Sequence, residues 1–449
     1  MGSITLYPDQ LAARQAIYQA WRTHRRVLQQ APTAFGKGTL ATFLLGECAS
    51  RGKRAVFGAH LEEINNDLVD RVRQGTGIEP RLLMGSHAEG PADALITIIS
   101  EQTVARRGLD LGEVRLFIRD EAHRAASRSH QIIADACKGD TLHLGLTATP
   151  ERGDGRPLDF YEVLLAGPSP ATLAAQGRIA PMVTYAPAKP GRALAQDPVE
   201  AWPVDATGKP LPGVLFASSL SHSSTYAERY RAERGFTAVH CEADTPQRDA
   251  IVARFNAGEI DILCNRSLFC EGVDLRRSAV TMAAKSFGHA GPMLQACGRS
   301  RRMHPSKRRA MFIDLTDNVA RLGLPDDDRI YSLTGAHGII LDAPPSLPAM
   351  RMCRACLCWG RGGRPCDICG EPLPLPPPPK LSKRQLIEQR HAKQPLQGDA
   401  WEAWKNFVND KLAMGKDKKQ IVASWIYGAG KGNPPRYTID QVIISGRGS

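Results

Sequence analysis

The sequence predicts an α/β protein with two tandem parallel-sheet domains, a small cysteine-rich module and a small basic, helical C-terminal module. Short apolar runs that read as buried strands alternate with helical stretches, the pattern of parallel sheets covered by helices. A chain of 449 residues exceeds what one core organises and suggests two large domains with small additions. Of the 11 cysteines, five crowd between positions 353 and 369 while the other six are scattered singly upstream. There is no internal repeat.

Composition narrows the class. The formal charge of +12 points to a polyanionic partner. From Lys380 to the end, thirteen Lys or Arg stand against six Asp or Glu, a net +7, and the stretch 299–309 adds more. No run of ~18 apolar residues occurs, so no membrane-spanning helix and no membrane partner are expected. Met1-Gly2-Ser3-Ile4 has no signal-peptide character, and single cysteines suit a reducing compartment, so the expected location is cytoplasmic.

The elements follow in order. Arg26-Val27-Leu28-Gln29-Gln30 reads as a short strand, and residues 40–48 as a helix. Between them lies Ala31-Pro32-Thr33-Ala34-Phe35-Gly36-Lys37-Gly38-Thr39. Strand, glycine-containing loop, lysine, then helix is the arrangement of a phosphate-binding loop. Its N–H groups and helix N-terminus cradle phosphates, and the lysine reaches the β and γ oxygens. Two positions depart from the usual pattern. Ala34 stands where glycine is common, and Gly38 where Ser or Thr normally offers a hydroxyl to Mg²⁺. Metal coordination then runs through water or through Thr39. If the missing hydroxyl matters, Gly38→Thr tightens Mg²⁺-nucleotide; if Thr39 replaces it, Thr39→Ala is strongly defective.

The apolar run 114–119 reads as the next informative strand, and it ends in Asp120-Glu121-Ala122-His123. Two carboxylates at the carboxyl edge of a sheet sit where open α/β folds bind ligands. Asp120 can orient Mg²⁺ through one or two carboxylates plus phosphate oxygens, and Glu121 can polarise an attacking water. Arg119 occupies a strand position where an apolar residue is usual; it either pairs with a carboxylate or emerges at the sheet edge.

With these motifs in this order, the chain resembles the superfamily 2 helicases of the DEAH-box type over residues 4–330. Tyr7-Pro8-Asp9-Gln10 is similar to the glutamine motif, whose Gln10 would read the adenine edge. Ala59-His60-Leu61-Glu62-Glu63 and Ile98-Ile99-Ser100-Glu101-Gln102-Thr103 resemble segments that touch the nucleic-acid backbone, with Leu61 replacing a common basic residue. Gly145-Leu146-Thr147-Ala148-Thr149-Pro150 resembles the coupling motif. Phe269-Cys270-Glu271-Gly272-Val273-Asp274-Leu275 and Gln295-Ala296-Cys297-Gly298-Arg299-Ser300-Arg301-Arg302 resemble the last two motifs.

The resemblance implies two RecA-like lobes with ATP and Mg²⁺ between them. Nucleotide contacts would come from Gln10, Thr33, Gly36, Lys37, Gly38, Thr39, Asp120, Gly272 and Asp274. Chemistry would involve Lys37, Asp120 and Glu121, with Arg299 and Arg302 as arginine fingers; such a finger is worth several orders of magnitude in rate. His123, Thr147, Thr149 and Gln295 would couple turnover to movement. Arg301 reads as a solvated basic residue.

The expected domains are lobe 1 at 1–167, a connection rich in Pro and Ala at 168–210 with a helix at 171–177, and lobe 2 at 211–342. Lobe 2 strands are read at 214–217, 260–264 and 311–314. A Pro-rich boundary precedes Cys353-Arg354-Ala355-Cys356 and Cys366-Asp367-Ile368-Cys369-Gly370. Two such knuckles supply four thiolates that can surround Zn²⁺ tetrahedrally, and metal binding would supply the folding energy so short a segment lacks. Cys358 is either a spare thiol or an alternative ligand. The segment, taken as 351–372, resembles the zinc ribbon of RadD-like and prophage-encoded helicases. Residues 373–382 form a polyproline spacer. The basic module 383–449 interleaves Trp401, Trp404, Trp425, Tyr427 and Tyr437 with Lys and Arg, suiting either base stacking or a small helical core.

The expected function is an ATP-dependent nucleic-acid motor. The resemblance favours DNA over RNA, in replication, recombination or repair, with protein partners through the C-terminal module. Two alternatives stand beside it. One is a weakly hydrolysing nucleic-acid-binding adaptor, motivated by Gly38. The other is the motor subunit of a restriction or defence complex, whose cleavage would need a partner because no nuclease constellation is apparent in the sequence.

Overall fold

The computed structural model describes residues 4–59, 62–124, 127–187, 190–270, 273–334, 339–340, 350–356, 358–361, 365–366 and 368–373. His60, Leu61, Gly272 and everything from 374 onward, including most of the expected spacer and the whole basic module, lie outside the described residues.

The first lobe is an eight-stranded sheet. Its order is Val163–Leu165, Arg26–Gln30, Leu142–Thr147, Leu116–Arg119, Ala55–Ala59, Ile96–Ser100, Arg81–Met84, His87–Glu89, parallel except for the last pair. The central strands are buried along their length and read as near-continuous apolar runs, as strands covered on both faces must. Ile96–Ser100, with two Ile in a row after Ile-Thr, has the β-branched stiffness that favours extended backbone. The Lys37–Ser50 helix lays Leu40, Ala41, Leu44, Leu45 and Cys48 on the core.

The second lobe is a six-stranded, all-parallel sheet ordered Met182–Tyr185, Ala310–Asp314, Val280–Ala284, Gly213–Ala217, Ile262–Asn265, Ala238–His240. Helices on its two sides bury separate cores, one around Trp202 and Tyr230 and one around Phe216, Phe255 and Phe312. The expected helix in the connection is present as Pro170–Ala175, capped by the Ser169 hydroxyl. The connection also holds a strand the sequence reading lacks, Met182–Tyr185. Four residues between Pro181 and the following Ala and Pro carry too little pattern to read as a strand alone. The register with Ala310–Asp314 makes it one.

The chain returns to the first lobe after the second sheet. The Leu158 N–H donates to the Leu333 carbonyl at 2.8 Å, and Leu333 packs on Leu28, Ala122, Leu158, Phe160 and Tyr161. Among the described residues no helix is long and apolar enough to cross a membrane.

Candidate active site between the lobes

Three neighbouring strands of the first sheet deliver three of the sequence motifs to one edge. Arg26–Gln30 runs into the glycine loop, Leu116–Arg119 into the acid pair, and Leu142–Thr147 into Ala148 and Thr149. They open on a cavity of ≈ 590 Å³ walled by Thr33, Gly36, Lys37, Gly38, Asp120 and Glu121 from lobe 1, and by Asp274, Arg299 and Arg302 from lobe 2. A second cavity between the lobes, of ≈ 440 Å³, has a largely apolar wall and neither Lys37 nor the acid pair. Only the first of these two cavities brings Lys37 and the acid pair together.

The glycine loop is held from behind. Gly36 sits at φ +92° as the N-cap of the Lys37–Ser50 helix, a conformation glycine adopts without strain. Ala34 takes φ +69° where glycine is usual, which costs about 1 kcal/mol of local strain. The buried Gln10 side chain donates to the Phe35 and Gly36 carbonyls at 3.0 and 3.3 Å and accepts from the Tyr7 N–H at 3.0 Å. Its amide therefore braces the loop in this conformation. Arg178 adds a second brace, donating to Asp9 at 2.5 Å and to the Phe35 carbonyl at 3.2 Å, with its guanidinium over the Tyr7 ring. Lys37 Nζ lies 3.2 Å from the Ala31 carbonyl. Thr39 lines a smaller adjacent pocket with Ile4, Thr42, Arg71, Gln74 and Gly75, not the wall beside the acid pair. One residue further along a helix turns a side chain by about 100°.

The acid pair is strained and charged. Glu121 adopts φ +43°, an uncommon conformation for a residue with a long side chain. Burial and the neighbouring Glu121 carboxylate push the Asp120 carboxyl above its usual range, against the pull of Lys37 and Arg71. A divalent cation fits a site in which two carboxylates otherwise repel. Arg119 is buried just before them and pairs with the Glu101 carboxylate, so its charge is compensated inside the sheet.

Glu121, His123 and Thr147 form a chain. His123 Nδ1 is 3.5 Å from Glu121 Oε2 and hydrogen-bonds the Thr147 hydroxyl at 2.8 Å, which in turn accepts from the Thr149 N–H at 3.1 Å. Burial, with Arg124 and Lys37 nearby, pushes the His123 imidazole down to about 3, so it is neutral near pH 7. Gln295 Nε2 reaches Glu121 Oε2 across the cleft at 3.5 Å.

Lobe 2 approaches through the Ala290–Ser300 helix. A side chain at Gly298 would place its Cβ 2.4 Å from Thr33, so glycine is what lets the helix touch the glycine loop. The sequence reading missed a second crossing. The buried Glu151, directly after Pro150, accepts from the Gly291 N–H at 3.0 Å and lies 3.4 Å from His289. Nothing in the residue pattern pointed to it except its place beside the coupling motif.

The arginines of the last motif are not equivalent. Arg299 is buried and donates to the Cys270 and Val273 carbonyls at 2.7–3.0 Å. Arg302 pairs with Asp274, which also binds Arg276 at 2.6 Å. Burial opposes the charge on Asp274, but Arg302 and Arg276 hold its carboxyl below the usual range. Arg301 corrects the expectation of a solvated side chain. It is buried, pairs with Asp326, and its carbonyl accepts from the Ala180 N–H at 2.8 Å. The last turn of the helix sinks it against residues 325–330, an arrangement no local pattern encodes. Lys307 of the same basic stretch donates to the carbonyls of Arg276, Ser278 and Ser300, so part of that charge is internal.

The cysteine module docks on the second lobe. The Sγ atoms of Cys353, Cys356, Cys366 and Cys369 all lie within 4.8 Å of one another. Each knuckle closes alike, with the Cys353 N–H donating to the Cys358 carbonyl at 2.7 Å and the Cys366 N–H to the Glu371 carbonyl at 2.8 Å. Tetrahedral Zn–S bonds of about 2.3 Å put sulfurs about 3.8 Å apart. The Cys353–Cys369 and Cys356–Cys366 separations are 3.4 and 3.5 Å, so the four fit that metal. Cys358 Sγ is 3.0 Å from both Cys356 and Cys366 and is buried. Cys353, Cys358, Cys366 and Leu373 share a small cluster with Val183, on the edge strand of the lobe 2 sheet.

Comparison with known proteins agrees with this geometry. Residues 3–152 match the family described as type III restriction enzyme, res subunit. A 51.5 kDa protein of Lactococcus phage (isolate 7-9) is 25% identical over 397 residues, covering 82% of this chain and 80% of that protein. The putative ATP-dependent helicase IRC3 of Saccharomyces cerevisiae is 24% identical over 268 residues, 51% of this chain and 38% of that one. The solved ATP-dependent type ISP restriction-modification enzyme LlaBIII, bound to DNA, superposes with TM-score 0.51 at 13% identity, covering 69% of this chain and 27% of that one. The chain thus spans well under half of IRC3 and LlaBIII. Its two mainly parallel sheets have the RecA-like fold of that solved structure, and residues 3–152 are similar to the res subunit family.

Proposed function

We propose that this chain is an ATP hydrolase whose two lobes close and open on nucleotide to drive movement along nucleic acid, with DNA preferred to RNA, in replication, recombination or repair. The observation that carries the reading is the meeting of Glu121 and Gln295 across the cleft. The acid that would polarise the attacking water is thereby in register with lobe 2.

In this reading Lys37 and the loop Thr33, Gly36 and Gly38 hold the phosphates, and Asp120 holds Mg²⁺. When bound, the metal screens phosphate charge. Arg302 exchanges Asp274 for the γ-phosphate as the cleft closes, and Arg299 sets the loop that carries Asp274. Gly272 lies on the same segment. Gln10 supports the adenine end, and Thr39 supports the helix. His123, Thr147 and Thr149 relay the state of Glu121 to the sheet edge. Zn²⁺ in the four-cysteine site holds the appended module.

A second reading, the motor subunit of a restriction complex, is favoured by the match of residues 3–152 to a restriction-enzyme subunit. Both readings are tested by steady-state ATPase without polymer and with single-stranded, duplex and forked DNA and RNA. Stimulation by DNA above RNA is expected; equal rates with and without every polymer would overturn a nucleic-acid motor. A rate that requires a partner protein would favour the second reading.

Removing the chain beyond Lys380 deletes a net +6. Polymer affinity is expected to fall, and the slope of log affinity against log salt to flatten by about 0.7–0.9 for each phosphate that the tail no longer neutralises. Identical slopes for full-length and truncated protein would remove the tail from the interface.

A further inference from the structure

The clearest unexplained feature of the cavity is the glycine at position 38. A Cβ built there would lie 1.9 Å from Arg71 Nη1 and 3.1 Å from its Cζ. The space a Ser or Thr side chain would fill is already taken by a guanidinium. Arg71 comes from the Glu62–Thr76 helix, more than thirty residues downstream, and its side chain lines the cavity together with Lys37, Gly38, Asp120 and Glu121.

The position of that helix is fixed by close packing. A side chain at Gly46 would meet Thr76 at 2.7 Å, and one at Gly75 would meet Ile4 at 2.4 Å. Leu68 and Val72 of the same helix are buried in the lobe 1 core. The backbone that carries Arg71 is therefore part of the rigid first lobe, unlike the lobe 2 arginines.

We propose that Arg71 is a binding residue for the triphosphate of the nucleotide, with Gly38 the clearance its guanidinium needs. The inference rests on the nucleotide reading of this cavity and deepens it. The loop has exchanged a metal-ligating hydroxyl for a permanent cation with planar, bidentate donors, a group suited to phosphate oxygens. Because Arg71 belongs to lobe 1, it acts before the cleft closes. The expectation that Gly38→Thr tightens nucleotide is thereby reversed. The new side chain displaces the end of a flexible arginine, so the protein folds but its guanidinium no longer reaches the phosphates.

The test measures the affinity of a fluorescent ATP analogue by anisotropy, with thermal unfolding as a check on folding. Arg71→Ala is expected to weaken the analogue ~10- to 100-fold, the range for hydrogen bonds to charged groups. Arg71→Lys should recover part of that affinity. Gly38→Thr should weaken it to a similar degree, and the Gly38→Thr/Arg71→Ala double variant should be no weaker than Arg71→Ala alone. Lys37→Ala serves as the control for the site itself. If Lys37→Ala loses affinity while Arg71→Ala binds like wild type, or if the two substitutions at 38 and 71 add, this inference is wrong and the site stands. If Lys37→Ala also binds like wild type, the nucleotide reading of the cavity fails.

Discussion

Glu121→Gln is expected to bind ATP with nearly wild-type affinity and to turn it over at least ~10³-fold more slowly, within the range attributed to positioned acid–base groups. In the proposed reading, phosphate binding in the ground state draws on Lys37 and on the loop that Gln10 and Arg178 brace. None of these touches the Glu121 carboxylate. That carboxylate instead points toward Gln295 and His123, each at 3.5 Å. Gln keeps the volume and one acceptor, so the packing of the strained φ +43° turn survives. What it loses is the negative charge that polarises water. Lys37→Ala is the complementary case, with binding weakened from the outset. Steady-state hydrolysis alongside equilibrium binding separates the two. Wild-type turnover by Glu121→Gln would place activation of the water on another group.

The His123 imidazole supplies a further constraint on that chemistry. Burial keeps it neutral well below pH 7, so one ring nitrogen donates and the other accepts at working pH. In the proposed reading a neutral ring, whose Nδ1 meets both Glu121 and Thr147, would transmit position without competing for the Glu121 charge. In the proposed motor the path to Thr149 would run through the His123–Thr147 and Thr147–Thr149 hydrogen bonds inside one lobe, with Gln295 meeting Glu121 and Gly291 meeting Glu151 across the cleft.

The strands that end in chemistry were legible because parallel sheets place ligands at their carboxyl edge, and the residues after an apolar run are then candidates by position alone. Arg26–Gln30 and the acid pair after Leu116–Arg119 were readable for that reason. Arg119 looked anomalous from its own strand, and its partner Glu101 lies on the helix after another strand. Gly38 was legible as a departure but not as a fit. The residue that explains it arrives from a helix whose docking depends on Gly46, Gly75 and Ile4. Arg301 and Lys307 looked like surface charge because a basic run carries no record of which side chains turn inward. Met182–Tyr185 escaped because an edge strand of four residues is defined by its partner, not by its own pattern.

Purified protein is expected to carry about one Zn²⁺ per chain, and Cys366→Ser/Cys369→Ser to release it and unfold residues 350–373. Among the described residues the module buries Cys353, Cys358, Cys366 and Leu373 against Val183, with Cys356 and Tyr185 partly buried, far too little apolar area to offset the entropy of ordering two knuckles and a hairpin. Four thiolates closing on zinc supply about 10–16 kcal/mol of apparent binding energy in comparable small sites, so metal and fold should be lost together. The lobes have separate cores around Phe57 and Leu44, around Trp202 and Tyr230, and around Phe216 and Phe312, so nucleotide binding should persist. The cost to lobe 2 is the uncovering of Val183 and Tyr185 on its edge strand, about 1–2 kcal/mol for partly re-exposing such side chains. Cys358→Ser separates the roles of the fifth thiol. Retained metal makes it a spare, and metal loss makes it a ligand. Metal analysis of protein prepared without chelators, paired with circular dichroism of the variants, reads both steps. Wild-type protein without zinc would leave the convergence of the four sulfurs to some other chemistry, and a double variant that keeps its metal would mean Cys358 had taken a vacated place.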